Sequence, residues 1–254
     1  MSYQAIKVCF QEPVCFIQFN RPESNNTINH QLIEECFEVM TLCEEAIRVV
    51  VLEGLPEVFC FGADFKGMRD AAANGQVGEQ NPERLYDLWL KMASGPYITI
   101  SHVRGKANAG GVGFVAASDI VIADETAQFS LSELLFGLFP ACVLPFLIRR
   151  VGFQKAHYMS VMTQPVSVSQ AHAWGLVDAY DAQSESLLRK HLLRLRRLPK
   201  TGIMRYKRYI STLNDSLLQS RAPAVAANQE VFSDPRNIEG IFRFVETGQF
   251  PWED

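Results

Sequence analysis

The run Val103-Arg104-Gly105-Lys106-Ala107-Asn108-Ala109-Gly110-Gly111-Val112-Gly113 restricts the possible folds of this chain more than any other stretch. It reads as the end of a buried strand, a tight glycine turn, and the start of an apolar helix that continues through Phe114 to Ala117. Backbone N–H groups in such a turn have no intrahelical acceptor and lie at the positive end of the helix dipole, so they can hold an anion. A second glycine turn, Phe59-Cys60-Phe61-Gly62-Ala63-Asp64-Phe65, follows the apolar strand Val49 to Leu52. Two such turns face to face would aim two donors at one oxygen, which is an oxyanion hole. Taken alone, each reads more simply as an ordinary strand-to-helix turn, and the residues downstream must decide.

The rest of the chain alternates strand and helix. Ile6, Val8 and Phe10, then Val14, Phe16, Ile17 and Phe19, flank Glu12-Pro13 as a β-hairpin. Asn29 is placed to cap an amphipathic helix bearing Leu32, Ile33, Cys36, Phe37, Met40 and Cys43. Strand, glycine turn and helix then repeat through Val49, Thr99 and Ile120, which predicts parallel strands joined by right-handed crossovers. Polar residues Arg69 to Glu83 read as a mobile loop at the ligand end. Ser132 to Leu138 gives a helix-and-turn unit, and Gly175 to Asp178 a last short strand. From Glu185 the chain is helical and basic, Pro199 breaks it, and further helices without a sheet run to the end.

A net charge of −4 leaves no cationic excess to bind nucleic acid. The longest apolar runs, Val112 to Ala117 and Ala141 to Ile148, are too short to span a bilayer, and no signal peptide is expected at the N-terminus. Six scattered cysteines show neither CxxC pairs nor zinc spacing, so they read as reduced thiols in a cytoplasmic protein without a metal site.

Further motifs lie in one order along residues 5–180. They are Asn20-Arg21-Pro22 with Ile28-Asn29, Phe59 to Asp64, Gly105 to Gly111, Ser118 to Ala123, Ala127-Gln128-Phe129 with Glu133 and Gly137, and Ala171 to Val177. In this order and spacing the chain resembles the crotonase superfamily, also called the enoyl-CoA hydratase/isomerase family. Asn25 to Asn29, Ser130 to Gly137 and Phe250 to Glu253 resemble a narrower group within it, the dehydratases of polyketide β-branching cassettes. The resemblance implies an α/β crotonase (ClpP-like) fold of stacked ββα units. A spiral core carrying a thioester site would occupy residues 1–195, and a helical trimerisation region residues 196–254. It implies dehydration of 3-hydroxy-3-methylglutaryl to 3-methylglutaconyl, carried on the phosphopantetheine of an acyl carrier protein or on CoA. No metal or redox cofactor is implied, and the assembly implied is a homotrimer or a dimer of trimers.

By the same resemblance the two oxyanion donors are the amides of Ala63 and Gly110. Hydratases of the family carry two glutamates; the first position here is Gly113, and the second is retained as Glu133. The apolar neighbours Leu131, Leu134, Leu135 and Phe136 are expected to raise the Glu133 pKa toward neutrality. One carboxylate holds a hydrating water poorly but suffices for elimination, so dehydration is the expected direction, with Glu133 as sole acid/base. Asp64 is a candidate second carboxylate or, more simply, a cap for its turn, and Asn108 orients the other turn. Tyr86, Lys91 and Phe61 are candidates for the acyl pocket. Related decarboxylases use a Lys and a Tyr in this helix, so Tyr86 and Lys91 also serve the rival reading, release of CO₂ from the glutaconyl thioester. A CoA-linked hydratase and a non-catalytic thioester-binding subunit are further alternatives. The basic run Arg189 to Arg208, with Arg196 and Arg197 foremost, is a candidate docking surface for an acidic carrier protein.

Overall fold

A computed structural model describes residues 3–74 and 81–253. The chain opens with β1 (Ile6–Gln11) and β2 (Val14–Phe19), an antiparallel hairpin turning at Glu12-Pro13. Helix α1 (His30–Leu42) follows, its first turn capped by Asn29, which accepts from Leu32 N at 2.9 Å. Three successive units then each supply two strands. They are β3 (Val49–Glu53), β4 (Val58–Cys60) and α2 (Phe65–Ala73), with α3 (Pro82–Ser94) added; β5 (Ile98–Val103), β6 (Lys106–Asn108) and α4 (Gly110–Ala117); and β7 (Ile120–Ala123), β8 (Gln128–Ser130) and a 3₁₀ turn at Glu133–Phe136.

The first strand of each unit joins a six-stranded sheet of order β1-β2-β3-β5-β7-β10, and the second a four-stranded sheet of order β4-β6-β8-β9. Strand pairs β2·β3, β3·β5, β5·β7, β4·β6 and β6·β8 are parallel. Strand β3 shows why the larger sheet is buried on both faces. Val50 and Leu52 enter the main core, while the alternate residues Val49 and Val51 pack with Leu188 and Leu192. The step between strands of the second unit is made by Gly105 at φ +63°, where a Cβ would lie 2.0 Å from the Glu57 carbonyl oxygen. Lys106 to Asn108, expected as part of a glycine turn, is therefore a strand of its own.

Beyond the units come α5 (Leu144–Val151), α6 (Phe153–Met162), β9 (Val166–Ser167), α7 (Val168–Ala173), β10 (Ala179–Tyr180) and α8 (Ser184–Leu195). Gly175 to Asp178 is a turn rather than the expected strand: Gly175 takes φ +82° and the Asp178 carboxylate accepts from Val121 N at 2.6 Å. Arg69 to Ala73 completes α2, and Pro82-Glu83 opens α3, so the expected loop is shorter than its polarity suggested; its segment 75–80 lies outside the described residues. The chain ends with α9 (Lys200–Leu213), α10 (Ser216–Ser233) and α11 (Pro235–Thr247). These helices are built into the core. Leu217, Ala224 and Val225 of α10 belong to the main apolar cluster, and buried Lys207 of α9 pairs with Asp119 at 2.5 and 2.6 Å. No helix among the described residues is long and apolar enough to cross a membrane.

Candidate active site

Parallel strands β4, β6 and β8 end side by side, and each delivers one element of the site as the chain leaves it. After β4, Gly62 at φ +89° makes the turn; a Cβ there would stand 2.7 Å from Ala109 Cβ and 3.4 Å from Gly110 N. The two glycine turns therefore abut. Ile28 donates its N–H to Gly62 O at 2.7 Å and accepts at its carbonyl from Asp64 N at 3.2 Å, bridging in parallel to Ala63. Because Ile28 engages the residues on either side of Ala63, the Ala63 amide is turned away from it. The Ala63 carbonyl accepts from Phe65 N at 3.0 Å, whereas its N–H has no backbone acceptor among the described residues.

After β6, Ala109 holds φ +50° and ψ −121°, a conformation costly for a side-chain-bearing residue, and is pinned by its N–H to Ser130 O at 2.9 Å. Gly110 then opens α4, so its N–H belongs to the unsatisfied first turn at the positive end of the helix. A Cβ on Gly110 would strike Ile28 Cδ1 at 2.7 Å, which is why the turn approaches so closely only without a side chain.

After β8 comes Glu133, at the head of its 3₁₀ turn, which Gly137 closes at φ +72°. The residue is half-buried, but its Oε2 is inaccessible and has no hydrogen-bond partner among the described residues. Burial pushes the carboxyl up to about 7, opposed in part by the backbone amides of Glu133 and Ser132. Asn108 ties this segment to the glycine turn: its amide donates to Ser132 Oγ at 3.1 Å and its carbonyl oxygen accepts from Ser130 Oγ at 2.8 Å.

Asp64 is fully engaged. It caps α2 through Gly67 N at 2.9 Å and pairs with Arg21 at 2.8 Å, and Arg21 in turn donates to the Thr27 carbonyl and, at 3.2 Å, to Thr27 Oγ1. The Asn-Arg-Pro motif thus clamps the loop before α1 to the Ala63 turn. Phe61 and Leu134 stand exposed, each the chain neighbour of a site residue, Gly62 and Glu133. Tyr86 and Lys91 are not brought there. Tyr86 is fully buried and donates to Leu217 O at 2.6 Å, and Lys91 pairs with Glu44 and lies 5.1 Å from the Phe37 ring centroid. Helix α3 instead presents Trp89: a Cβ added to Gly113 would meet its indole at 2.4 Å. Exposed Arg196 and Arg197 follow α8, where the Arg196 carbonyl accepts from Arg48 at 2.7 Å. That is the amino-terminal edge of the larger sheet, whereas the site lies at the carboxyl ends of the smaller one. Burial raises Cys60 and Cys142 to about 12, so neither thiol is reactive near neutrality. Among the described residues no group of three His, Cys, Asp or Glu side chains is placed to hold a metal ion.

Residues 9–254 match the family described as enoyl-CoA hydratase/isomerase. The chain belongs to that family. It is a hydro-lyase of the crotonase fold. It is 64% identical to the bacillaene synthase dehydratase PksH of Bacillus subtilis, over 100% of this chain and 98% of that protein. A crystal structure of a Bacillus subtilis polyketide biosynthesis enoyl-CoA hydratase superposes with a TM-score of 0.96 at 63% identity, covering 98% of this chain and 100% of that one. A mevalonyl-coenzyme A hydratase of Aspergillus fumigatus is 35% identical over 70% of this chain and 66% of that protein.

Proposed function

We propose that this enzyme dehydrates 3-hydroxy-3-methylglutaryl held on an acyl carrier protein, giving the 3-methylglutaconyl thioester and water. The single observation that carries the proposal is the Glu133 carboxyl, raised by burial and with an inaccessible Oε2 that has no partner among the described residues, on the segment tied by Asn108 to the Gly110 turn. The amides of Ala63 and Gly110 bind the thioester oxygen. The Glu133 carboxylate removes a Cα proton, and the electron pair passes to that oxygen as an enolate. The enolate then collapses, the Cα–Cβ double bond forms, and the Cβ–O bond breaks. Its electron pair leaves with the hydroxyl, which takes the proton back from Glu133 and departs as water. Loss of one oxyanion donor costs about 10²–10³ in rate, so the two amides are the largest single contribution.

Substrate choice is supported by two relatives. One is named for dehydration in a polyketide synthase, and the other for mevalonyl, itself a 3-hydroxy-3-methyl acyl group. Exposed apolar side chains on α6 and α9, among them Phe153, Val161, Tyr206, Tyr209 and Leu213, support an assembly that covers them, which the family resemblance makes a homotrimer or a dimer of trimers. Sedimentation at three or six chain masses is expected, and a monomer at micromolar concentration would refute it.

The deciding experiment is incubation with the 3-hydroxy-3-methylglutaryl carrier protein followed by intact mass measurement. The acyl chain should lose 18 mass units, and Glu133→Gln should retain less than a tenth of the turnover. A product 44 units lighter, obtained from the glutaconyl carrier protein, would select decarboxylation instead. With Tyr86 and Lys91 bonded to Leu217 and Glu44, that reaction lacks the groups on which it was to rest.

A further inference from the structure

Glu133 and the Gly110 amide reach the site from different strands, yet the elimination needs both on one substrate. The carbonyl oxygen held by the amide is two bonds from the carbon whose proton Glu133 removes. Their relative placement must therefore be kept closely, and a misplacement of about 1 Å costs about 10²-fold in rate. Two features of the backbone leave that placement in need of support. Ala109 joins β6 to Gly110 at φ +50° and ψ −121°, a conformation that persists only where its surroundings over-determine it. Glu133 heads a 3₁₀ turn whose N-cap, Ser132, makes no side-chain cap.

Asn108 supplies the support. It is the last residue of β6, the strand between β4 and β8, and pairs in register with Ser130, the last residue of β8. Its carboxamide meets two serines of the Glu133 segment: the oxygen accepts from Ser130 Oγ at 2.8 Å, and the nitrogen donates to Ser132 Oγ at 3.1 Å. The Ala109 N–H donates to Ser130 O at 2.9 Å. Three hydrogen bonds thus cross from the two residues before Gly110 to the residues before Glu133. They continue to the carboxyl itself, which accepts from the backbone N–H of Ser132. On the other flank, the Asn108 carbonyl oxygen lies 3.2 Å from where a Cβ on Gly62 would stand. One residue adjoins the Gly62 turn, leads into the Gly110 turn and is bonded to the segment of Glu133.

We infer that Asn108 is a positioning residue for the elimination, acting through Ser132 to fix the Glu133 carboxyl relative to the Gly110 amide. This rests on the roles that the dehydration reading gives those two groups. Asn108 takes no proton and touches no reacting atom. A carboxamide suits the task because it offers an acceptor and a donor from one rigid plane, which holds the two serines at a set spacing. Glu133 acts twice, taking the Cα proton and then returning it to the departing hydroxyl. A carboxyl displaced from the amide fails at the first of these steps. Loss of the clamp therefore slows Cα deprotonation as much as it slows water loss, while binding of the carrier-linked acyl chain is kept.

The test compares full-length wild type, Asn108→Leu, Ser132→Ala, the double variant and Asn108→Asp, each shown to be folded by circular dichroism. All are incubated in D₂O with the 3-hydroxy-3-methylglutaryl carrier protein. Loss of 18 mass units gives kcat and KM for dehydration, and deuterium entry at Cα reports proton abstraction. Asn108→Leu should lower kcat and Cα exchange together, roughly 10- to 100-fold, with KM within about 3-fold of wild type. Ser132→Ala should lose part of this. The double variant should stay within about 3-fold of Asn108→Leu, because the second change removes a bond already gone. Asn108→Asp keeps acceptors for both serine hydroxyls but sets a negative charge beside the Glu133 segment, so the midpoint of its pH–rate profile should rise above that of wild type. Wild-type kcat in folded Asn108→Leu, losses that multiply in the double variant, or an unmoved midpoint in Asn108→Asp would each overturn the role and leave the dehydration reading intact. A wild-type protein that exchanges Cα hydrogen without losing water would instead overturn the dehydration reading, and the exchange rates of the variants would still decide the role of Asn108.

Discussion

At the scale of single residues, the buried carboxyl of Glu133 ties activity and stability together with opposite signs. Desolvation moves it from its ordinary 4.5 to about 7. Between those values the folded protein holds a proton that the unfolded chain has released, so stability falls as pH rises through the window. Above pH 7 the loss amounts to roughly 3 kcal/mol for a group this enclosed. Glu133→Gln should therefore melt with wild type near pH 4.5 and above it at pH 8. Activity runs the other way: elimination starts from the carboxylate, so kcat/KM should climb with pH and level off above about 7. Scanning calorimetry and a pH–rate profile check both, and a wild type that melts above the Gln variant at pH 8 would contradict the burial argument. Glu133 and the two turns were legible because glycine spacing and an apolar neighbourhood are properties of the sequence itself. Tyr86 and Lys91, expected at the acyl pocket, are engaged elsewhere, with Leu217 O and Glu44, because partners distant in sequence take up both side chains.

At the scale of elements, the short second strands explain most of what the sequence concealed. Strands β4, β6 and β8 have three residues each, too few for alternation to register, and they exist because each pairs with a strand from another unit. Longer elements such as α1 and β3 announced themselves through caps and apolar runs. Asp64 shows how an element junction mimics a catalytic group. Its Oδ1 caps α2 and its Oδ2 holds Arg21, and both side chains of that pair are 14% exposed. Asp64→Ala removes the cap and leaves the guanidinium unpaired, at an expected cost of roughly 1–3 kcal/mol. Asp64→Asn keeps an acceptor for Gly67 N and should lose about half as much. In both, kcat should fall because the Ala63 turn loosens, yet the midpoint of the pH–rate profile should stay where Glu133 sets it. Urea titration gives the stabilities; a displaced midpoint would show that Asp64 titrates during turnover.

At the scale of the whole molecule, the C-terminal helices were legible as helices but not as part of the core. Buried Leu217, Ala224 and Val231 of α10 recur every seven residues along one stripe with Val225 beside it, but further apolar residues elsewhere on the helix, such as Leu218 and Ala227, blur that stripe, and it does not reveal its partners. Helix α11 has a different task. Its Phe244, with Phe250, packs on Phe136 of the 3₁₀ turn at 5.1 and 5.8 Å between centroids, and Phe65 of α2 reaches the same ring at 5.9 Å. This aromatic cluster is separate from the main core. It joins the segment carrying Glu133, the helix that follows Ala63, and the last helix of the chain. Phe244→Ala should accordingly cost roughly 1–3 kcal/mol, less than a fully buried ring because Phe244 is only half-buried. Its effect on turnover should exceed what that destabilisation alone would cause at temperatures where the variant is fully folded. Hydrogen exchange makes the link explicit: amides of residues 133–138 should exchange faster in the variant while those of β3 and β5 keep wild-type rates. Uniformly faster exchange would mean that the cluster merely adds stability, whereas a local change coupled to lower kcat would show that the last helix holds the acid/base in register with the oxyanion amides.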